Sequence, residues 1–453
     1  MQNVFFIGIN GIGMSGLAKI MVHSGYKVYG SDIKVKPITK DLESKNIKVY
    51  IGHNSDNIKG MDLVIYSSAI KSNNPEYEYA IENNIPVYKR GELLGRLMDE
   101  TYTGIAVAGT HGKTTISSMM SVAMLDLDPT VVVGGIIPEI KSNSIVGESK
   151  FFVAEADESD KSFLYLYPKY SIISNIEAEH LENYDDDYEN LKKAFGDFIE
   201  KTENIAIVNK DCLELYEIAK NHKNTVFYSI EDKSAEIYAD NIRMKNCYNI
   251  FDVYIKGNKI GEFKLKLPGI HNVSNALGVI YLANKLGVDK KNIQEKLKKF
   301  KGAKRRFDLI YDNGFKIIDD YAHHPTEVKM TIQAAKSKNP KKLIAVFQPH
   351  RYSRINKLLN EFNNIFDLAD RVIFLPIYSA GEENTFGLSS EILSQKIQSK
   401  RRIENFYDES ELYNILKNDS KEGDMYLFMG AGDISSMAND ISKRLSGRTD
   451  ESH

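Results

Sequence analysis

The sequence has few cysteines, no excess of either charge and no long apolar run. Its 453 residues include only Cys212 and Cys247, which cannot form a disulfide framework, so we expect a reducing, cytoplasmic location. Lys and Arg number 59 against 62 Asp and Glu, and this balance argues against a dedicated nucleic-acid binder. No apolar stretch approaches the roughly 18 residues of a membrane span. No Lys or Arg precedes Lys19, so we expect no signal peptide and no membrane partner.

The chain divides into three blocks of alternating strands and helices, which agrees with a prior of about three domains at ~150 residues each. Short apolar runs separated by helical patterns in residues 1–98 and 304–453 predict βαβ units and two Rossmann-like domains. Residues 99–303 begin in the same way, then alternate polar and apolar residues around Lys256-Gly257-Asn258. This change predicts antiparallel hairpins within a central phosphate-loop domain. The predicted fold class is therefore α/β.

The strongest motif is the segment 109–115, Gly-Thr-His-Gly-Lys-Thr-Thr, between an apolar strand and a helical pattern. A glycine turn at a helix N-terminus points backbone N–H groups at an anion, and the helix dipole adds positive charge. Lys113 is spaced to reach the β- and γ-phosphates, and the Thr114 hydroxyl suits Mg²⁺. Val107 stands where the strict P-loop pattern has its first glycine, so the loop is two residues short. The segment predicts a nucleotide site, and the alternative is a helix start that merely needs glycine.

A second glycine turn, 11–16, matches GxGxxG after a strand, and Asp32 ends the following strand. This is the form of a dinucleotide fingerprint. The same turn can bind any diphosphate, including that of a nucleotide-sugar. The alternative is a glycine turn that allows close packing of helix on strand.

Polar residues also follow the strands beside the phosphate loop. Glu155 comes directly after the apolar run 151–154, and His180 follows the run 171–174. Ligands of parallel sheets bind at the carboxyl ends of strands, and Mg²⁺ prefers oxygen ligands. We therefore predict that Glu155 holds Mg²⁺, while a structural role for His180 is equally compatible with its position.

Further candidates lie at predicted element ends in the last two blocks. Asn272 and Asn275 open a helix, where they either contact a nucleotide or cap the helix. The strings 319–325 (DDYAHHP) and 350–354 (HRYSR) end strands of the third block and are predicted to face one cleft. Their guanidinium groups suit carboxylate or phosphate ligands. The turn 430–433 is either an anion-binding turn or a tight turn.

Taken in order, these segments resemble the Mur ligase family, whose enzymes make the cytoplasmic precursors of peptidoglycan. The resemblance runs from Val4 to Ile441 and rests on GINGIGMSGLA, AGTHGKTT, EADESD, NIEAEH, HNVSN, RRFD, DDYAHHP, PHRYSR and GAGD. The shortened phosphate loop is the family's own form. One departure is Glu179, where the family pattern has aspartate beside the metal histidine. The resemblance implies that the N-terminal domain binds UDP, the central domain binds MgATP and the C-terminal domain closes over the site.

The resemblance also implies a role for each matching residue. UDP-sugar contacts are Asn10, Gly11, Gly13, Met14, Ser15, Asp32, Ser67, Ser68 and Ala69. ATP contacts are Gly109, Thr110, His111, Gly112, Lys113, Thr114, Thr115, Asn272, Asn275, Arg306 and Asp320. The metal, Mg²⁺ with Mn²⁺ as the alternative, is held by Thr114, Glu155 and His180. The sugar carboxylate and the amino acid meet Tyr321, His323, His350, Arg351 and Arg354. The catalytic residues are Lys113, Glu155, His180 and His323.

The implied reaction joins L-alanine to the carboxylate of UDP-N-acetylmuramate in a monomer or weak homodimer. ATP would convert the carboxylate to an acyl phosphate, and His323 would accept a proton from the attacking amine. A family branch that joins a tripeptide instead of L-alanine is the closest alternative, because such selectivity lies in pocket shape. An NAD-dependent oxidoreductase would use the turn 11–16 and Asp32 but leaves the phosphate loop unexplained. A non-catalytic ATPase switch would turn over ATP without regard to sugar or amino acid.

Overall fold

The computed structural model describes residues 2–101, 103–246, 248–406 and 408–447, with the side chains of 100 and 101 left undescribed. One of the two cysteines, Cys247, lies outside the described residues. The described chain contains three β-sheets and packs as two compact units. Unit 1 comprises 1–242, 251–264 and 274–300, and unit 2 comprises 243–250, 265–273 and 301 onward. The first two predicted blocks therefore lie largely within one compact unit.

The N-terminal sheet is parallel, with the strand order β3-β2-β1-β4-β5. Its strands are β1 (Asn3–Ile7), β2 (Lys27–Asp32), β3 (Lys48–Ile51), β4 (Leu63–Tyr66) and β5 (Val87–Lys89). Its helices are α1 (Ile12–His23), α2 (Pro37–Ser44), α3 (Pro75–Glu82) and α4 (Arg90–Thr101). The apolar strand β1 is central and buried, and the strand order reverses between β1 and β4. Ligands of open α/β sheets bind at such a reversal, which is where the turn 11–16 lies.

The central sheet has the strand order β15-β14-β13-β12-β11-β10-β6-β9-β7-β8. Its strands are β6 (Thr103–Ala108), β7 (Thr130–Ile137), β8 (Ser142–Ile145), β9 (Phe151–Glu155), β10 (Tyr170–Ile173), β11 (Ile205–Asn209), β12 (Thr225–Ser229), β13 (Ile237–Lys245), β14 (Tyr248–Ile255) and β15 (Asn258–Leu265). Its helices are α5 (Lys113–Ala123), α6 (Tyr188–Glu200), α7 (Leu213–Ala219), α8 (Ile270–Lys285) and α9 (Lys290–Lys299). Strand β6 lies between β10 and β9 and is parallel to both. The carboxyl ends of these three strands therefore meet at one edge, which holds the candidate nucleotide site.

The C-terminal sheet has the order β16-β17-β21-β18-β19-β20. Its strands are β16 (Asp308–Asn313), β17 (Phe315–Asp320), β18 (Leu343–Phe347), β19 (Arg371–Phe374), β20 (Ile403–Asn405) and β21 (Met425–Met429). Its helices are α10 (Pro325–Lys336), α11 (Tyr352–Leu358), α12 (Ser390–Lys396), α13 (Glu409–Asp419) and α14 (Ile434–Leu445). The pair β16·β17 is antiparallel and the other pairs are parallel. Strands β18 and β21 are buried along their whole length, as expected for the apolar centre of a sheet with helices on both faces.

The predicted α/β class is confirmed, because each of the three sheets contains parallel strand pairs with helices between the strands. The predicted hairpin in the central block is also present, because β14 and β15 are neighbours joined by Lys256 and Gly257. Within the part of the chain that the structure describes, no helix is both long and apolar enough to cross a membrane.

Two mid-helix glycines give a matched test of packing in unit 1. A Cβ on Gly95 of α4 would lie 2.2 Å from the backbone oxygen of Tyr165, whereas a Cβ on Gly196 of α6 would meet its nearest atom at 3.6 Å. We expect Gly95→Ala to lower the free energy of unfolding by roughly 1–3 kcal/mol through overpacking. Gly196→Ala should raise it by up to about 1 kcal/mol, because alanine is the better helix former. Urea denaturation measures both, and equal effects would contradict this account of α4 packing.

Candidate functional site

The predicted phosphate loop connects β6 to α5 at the carboxyl edge of the central sheet. Gly112 caps α5 with a φ of +85°, a conformation that favours glycine. Gly109 has a φ of +134°, and a Cβ there would lie 2.1 Å from the Ser174 hydroxyl oxygen. The loop thus needs glycine at both positions, and the first N–H groups of α5 lie at its end.

Side chains that follow the neighbouring strand β10 hold the loop backbone. The N–H of His111 donates to Asn175 Oδ1 at 2.8 Å, and Asn175 Nδ2 donates to the carbonyl of His111 at 3.0 Å. The Ser174 hydroxyl donates to the same carbonyl at 2.7 Å. The His111 imidazole lies 3.3 Å from the Glu177 carboxylate and 3.5 Å from that of Glu179. Sequence reasoning missed Ser174 and Asn175, although their place directly after a strand next to β6 was a usable signal.

Lys113, at the first position of α5, points back into the loop. Its ammonium donates to both carboxylate oxygens of Glu158 at 2.7 and 2.8 Å and to the Gly109 carbonyl at 2.7 Å. Burial alone would lower the pKa of Lys113, but the carboxylates of Glu158 and Asp157 hold it above its usual value. The lysine is therefore a fixed positive charge, and its partner Glu158 was also missed from the sequence.

The predicted metal residues Thr114 and Glu155 are in contact. Glu155 accepts hydrogen bonds from the Thr114 hydroxyl at 3.3 Å, the Ser117 hydroxyl at 3.0 Å and the Gly134 N–H at 2.6 Å. A carboxylate and a hydroxyl side by side form an oxygen donor set that suits Mg²⁺. His180 follows β10 on the same edge, and its imidazole lies 3.4 Å from the Glu179 carboxylate.

The two asparagines in the first turns of α8 occupy different surroundings. Asn275 borders the phosphate loop, since a Cβ on Gly112 would lie 3.4 Å from its Oδ1. Asn272 is buried, and its Nδ2 donates to the Pro268 carbonyl at 2.7 Å. Asn272 thus holds the turn that leads into α8 by donating to a carbonyl, whereas a helix cap accepts from a backbone N–H.

The loop 8–11 connects β1 to α1, so the motif 11–16 comprises the N-cap and the first residues of α1. Asp32 Oδ2 accepts from the Asn10 N–H at 3.0 Å, and Asn10 Oδ1 accepts from the Thr39 hydroxyl at 3.0 Å, so both side chains fix this loop. A Cβ on Gly16 would lie 3.2 Å from Val132 and from Ser144, because α1 packs on β7 and β8. Close packing therefore accounts for the last glycine of the motif.

The remaining UDP-sugar candidates surround this loop. Gly11 caps α1, and Met14 and Ser15 are buried in the first turn of the helix. Ser67, Ser68 and Ala69 follow β4, which borders β1. Gly13 lies against Arg90, whose guanidinium nitrogen would be 3.1 Å from a Cβ at Gly13. Sequence reasoning missed Arg90, which also approaches Asp157 at 3.9 Å.

In unit 2 the two predicted strings meet around a pair of histidines. The rings of His323 and His350 are 5.7 Å apart, and His350 stacks on Tyr378 at 5.5 Å. Arg354 approaches His350 Nδ1 at 3.3 Å, and the Tyr321 ring packs edge-on against His323 at 5.4 Å. Burial lowers the pKa of His323 to about 4 and that of His350 to about 3. Both imidazoles are therefore neutral near pH 7.

The charged residues of this cluster are held by neighbours. Asp320 accepts from the N–H groups of Phe307 and Ala322 at 2.7 and 2.8 Å, and burial raises its pKa to about 6. Arg306 lies 3.8 Å from the Glu327 carboxylate and 5.2 Å from the centre of the Tyr321 ring. The Arg351 side chain pairs with Glu382 at 3.1 Å.

The glycine turn 430–433 is a tight packing turn. A Cβ on Gly432 would come within 2.5 Å of Gln348 Oε1 and 2.6 Å of Tyr378 Cγ. Gln348 Nε2 donates to Asp433 Oδ1 at 2.7 Å, and its Oε1 accepts from the Ile434 N–H at 3.1 Å. Of the two interpretations of this turn, the structure therefore favours close packing. The Tyr378 ring that packs against Gly432 is the same ring that stacks on His350.

Comparison with known proteins agrees with this arrangement. Residues 3–102 match the family model "Mur ligase family, catalytic domain", residues 107–283 match "Mur ligase middle domain", and residues 305–432 match "Mur ligase, glutamate ligase domain". The chain belongs to the Mur ligase family.

Individual members of the family are similar to this chain over nearly its whole length. The UDP-N-acetylmuramate–L-alanine ligase of Fusobacterium nucleatum is 51% identical, over 99% of this chain and 98% of the relative. The crystal structure of UDP-N-acetylmuramate–alanine ligase from Thermotoga maritima superposes with a TM-score of 0.83 at 30% identity, covering 99% of this chain and 100% of that one. A murein peptide ligase from Psychrobacter arcticus has the same fold, with a TM-score of 0.71 at 24% identity, covering 99% and 98%.

The role of Asn175 is testable by binding. Asn175→Ala removes both hydrogen bonds to the backbone of His111, each worth about 1 kcal/mol net. We expect the affinity for the ATP analogue AMP-PNP, measured by calorimetry, to fall about tenfold. The matched control is Asn224→Ala, which removes an exposed amide bond to the Glu203 carbonyl. Unchanged AMP-PNP binding by a folded Asn175→Ala protein would contradict the role of Asn175 in holding the phosphate loop.

Proposed function

We propose that this chain joins L-alanine to the carboxylate of UDP-N-acetylmuramate at the expense of ATP, as a step of peptidoglycan precursor synthesis. The observation that carries the proposal is 51% identity over the whole chain with a relative of that named activity. The site geometry supports it, since the loop 109–115 and its lysine suit a nucleotide triphosphate. We place the reaction in the cytoplasm, where ATP and UDP-sugars are made.

The phosphate loop supplies positioning and charge for the first step. A free carboxylate is a poor acyl donor, so its oxygen attacks the γ-phosphate of ATP, giving an acyl phosphate and ADP. Such phosphoryl transfer depends on alignment and charge neutralisation more than on covalent help. Lys113 provides the fixed positive charge, while Gly109 and Gly112 let the backbone N–H groups approach the phosphates.

Thr114, Glu155 and His180 are the proposed metal residues. The contact between the Thr114 hydroxyl and the Glu155 carboxylate supports this assignment, and His180 follows the adjacent strand. When bound, Mg²⁺ neutralises phosphate charge and orients the transferred group. The Gly134 N–H and the Ser117 hydroxyl keep the Glu155 carboxylate aimed at Thr114.

The C-terminal cluster is proposed to serve the second step. The amine of L-alanine must lose a proton as it attacks the acyl phosphate, and inorganic phosphate then leaves. His323 is the proposed base, because its imidazole is neutral near pH 7 and its Nδ1 lies 3.0 Å from the Tyr321 carbonyl. That contact directs the other ring nitrogen away from Tyr321. Arg351 and Arg354 are the proposed partners of the substrate carboxylates.

The decisive assay measures phosphate release from ATP and Mg²⁺ in the presence of UDP-N-acetylmuramate. We expect strong stimulation by L-alanine and none by the tripeptide L-Ala-γ-D-Glu-meso-diaminopimelate. Lys113→Met is the inactive control. Stimulation by the tripeptide alone would replace the proposed substrate while keeping the mechanism. Release that ignores both would overturn the ligase proposal in favour of an ATPase switch.

The role of His323 has its own test. We expect His323→Gln to lower the rate of amide formation by 10²-fold or more, because positioned general bases contribute roughly that factor. Formation of the acyl phosphate, followed in a single turnover without L-alanine, should change little. A variant that forms the amide at the normal rate would remove His323 from the mechanism.

A further inference from the structure

A buried ion pair lies at the phosphate loop, and only one of its two residues takes part in the proposed reaction. The pair joins Lys113 to Glu158, whose side chain is 2% exposed. Both carboxylate oxygens lie within hydrogen-bond distance of the lysine ammonium, at 2.7 and 2.8 Å. A bidentate contact of this kind fixes the direction of the ammonium as well as its distance.

The ammonium has three protons to donate. Two contacts go to Glu158, and the third short contact, of 2.7 Å, goes to the Gly109 carbonyl. The Thr110 carbonyl is more distant at 3.3 Å. Lys113 is therefore held from two sides, by the loop and by the carboxylate. A lysine stem is flexible and has many rotamers, so this restraint decides where the charge of the ammonium lies.

Glu158 is itself held in place. Its backbone carbonyl accepts from the Tyr184 hydroxyl at 2.6 Å and from the Lys161 N–H at 3.1 Å. Tyr184 is a fully buried aromatic residue of the core. The neighbouring Asp157 accepts from the Ser159 N–H at 3.1 Å, which closes the turn after β9. The carboxylate that holds Lys113 is thus attached to a rigid part of unit 1.

Glu155, at the end of β9, and Glu158, shortly after it, contact different kinds of group. Glu155 contacts hydroxyl and N–H groups, whereas Glu158 contacts the ammonium of Lys113. We propose that Glu158 is a positioning residue, which holds Lys113 in the orientation needed for phosphoryl transfer. The proposal rests on the proposed function for its kinetic consequence, but the geometry of the pair does not depend on the identity of the amino-acid substrate.

The test uses the full-length protein and three variants. Glu158→Gln keeps the shape but weakens the hold on the ammonium, and we expect kcat to fall at least tenfold. The KM values for L-alanine and UDP-N-acetylmuramate should stay within twofold. Glu158→Asp restores the charge on a shorter stem and should recover part of the loss. The control is Glu203→Gln, which changes an exposed carboxylate paired with Lys169 and should behave as the wild type.

A double-mutant cycle asks whether Glu158 acts through Lys113. The readout is the dissociation constant for AMP-PNP. Glu158→Gln should weaken binding about fivefold in the wild-type background and have no further effect in a Lys113→Met background. The double variant removes both charges, so it avoids an unpaired buried charge. Where Glu158→Gln fails to fold, Glu158→Asp takes its place in both backgrounds of the cycle.

Three outcomes would overturn the proposal. One is a folded Glu158→Gln protein with normal kcat, and a second is an additive effect in the Lys113→Met background. A third is no recovery by Glu158→Asp despite normal thermal stability. Failure of L-alanine to stimulate the wild-type protein would instead count against the proposed function, and the AMP-PNP cycle would still decide the role of Glu158.

Discussion

The candidate site depends on the attachment of the phosphate-loop backbone to the strand beside it. Gly109 and Gly112 adopt conformations that favour glycine, and a loop of this kind needs external support to keep one shape. Asn175 supplies that support through paired hydrogen bonds to His111, and Ser174 adds a third. Because these residues lie at the end of β10, the parallel order β10-β6-β9 is what brings them to the loop. The conformation of the phosphate loop therefore depends on the strand order at this edge of the central sheet.

Charge is arranged differently in the two units. In unit 1 the ions are paired at short range, with Lys113 against Glu158. In unit 2 the central groups are imidazoles kept neutral by burial, and the guanidinia of Arg306 and Arg351 are paired with carboxylates at the edge of the cluster. A fixed cation suits phosphate, and a neutral imidazole suits proton transfer. This difference supports the division of labour in the proposed reaction.

Much of this could be predicted from the sequence, because the motifs follow apolar runs that mark strand ends. The phosphate loop, the Thr114–Glu155 contact and the meeting of His323 with His350 follow from the rule that parallel strands share one carboxyl edge. The place of Asn175 directly after β10 was a usable signal of the same kind, whereas Arg90 and Glu158 could not be assigned in this way. Their roles come from neighbours distant in the sequence, and sequence spacing carries no information on such contacts. For the same reason the sequence could not decide whether the turn 430–433 binds an anion or is a tight turn, since its tight packing depends on Gln348 and Tyr378.

The central claim is that a carboxylate oxygen attacks the γ-phosphate of ATP before L-alanine reacts. The most direct measurement uses UDP-N-acetylmuramate labelled with ¹⁸O in its carboxylate, together with ATP, Mg²⁺ and L-alanine. Mass spectrometry of the products should show UDP-N-acetylmuramoyl-L-alanine and one ¹⁸O atom in each inorganic phosphate released. Amide product with unlabelled phosphate, or labelled substrate recovered unchanged while ATP is hydrolysed, would contradict the account.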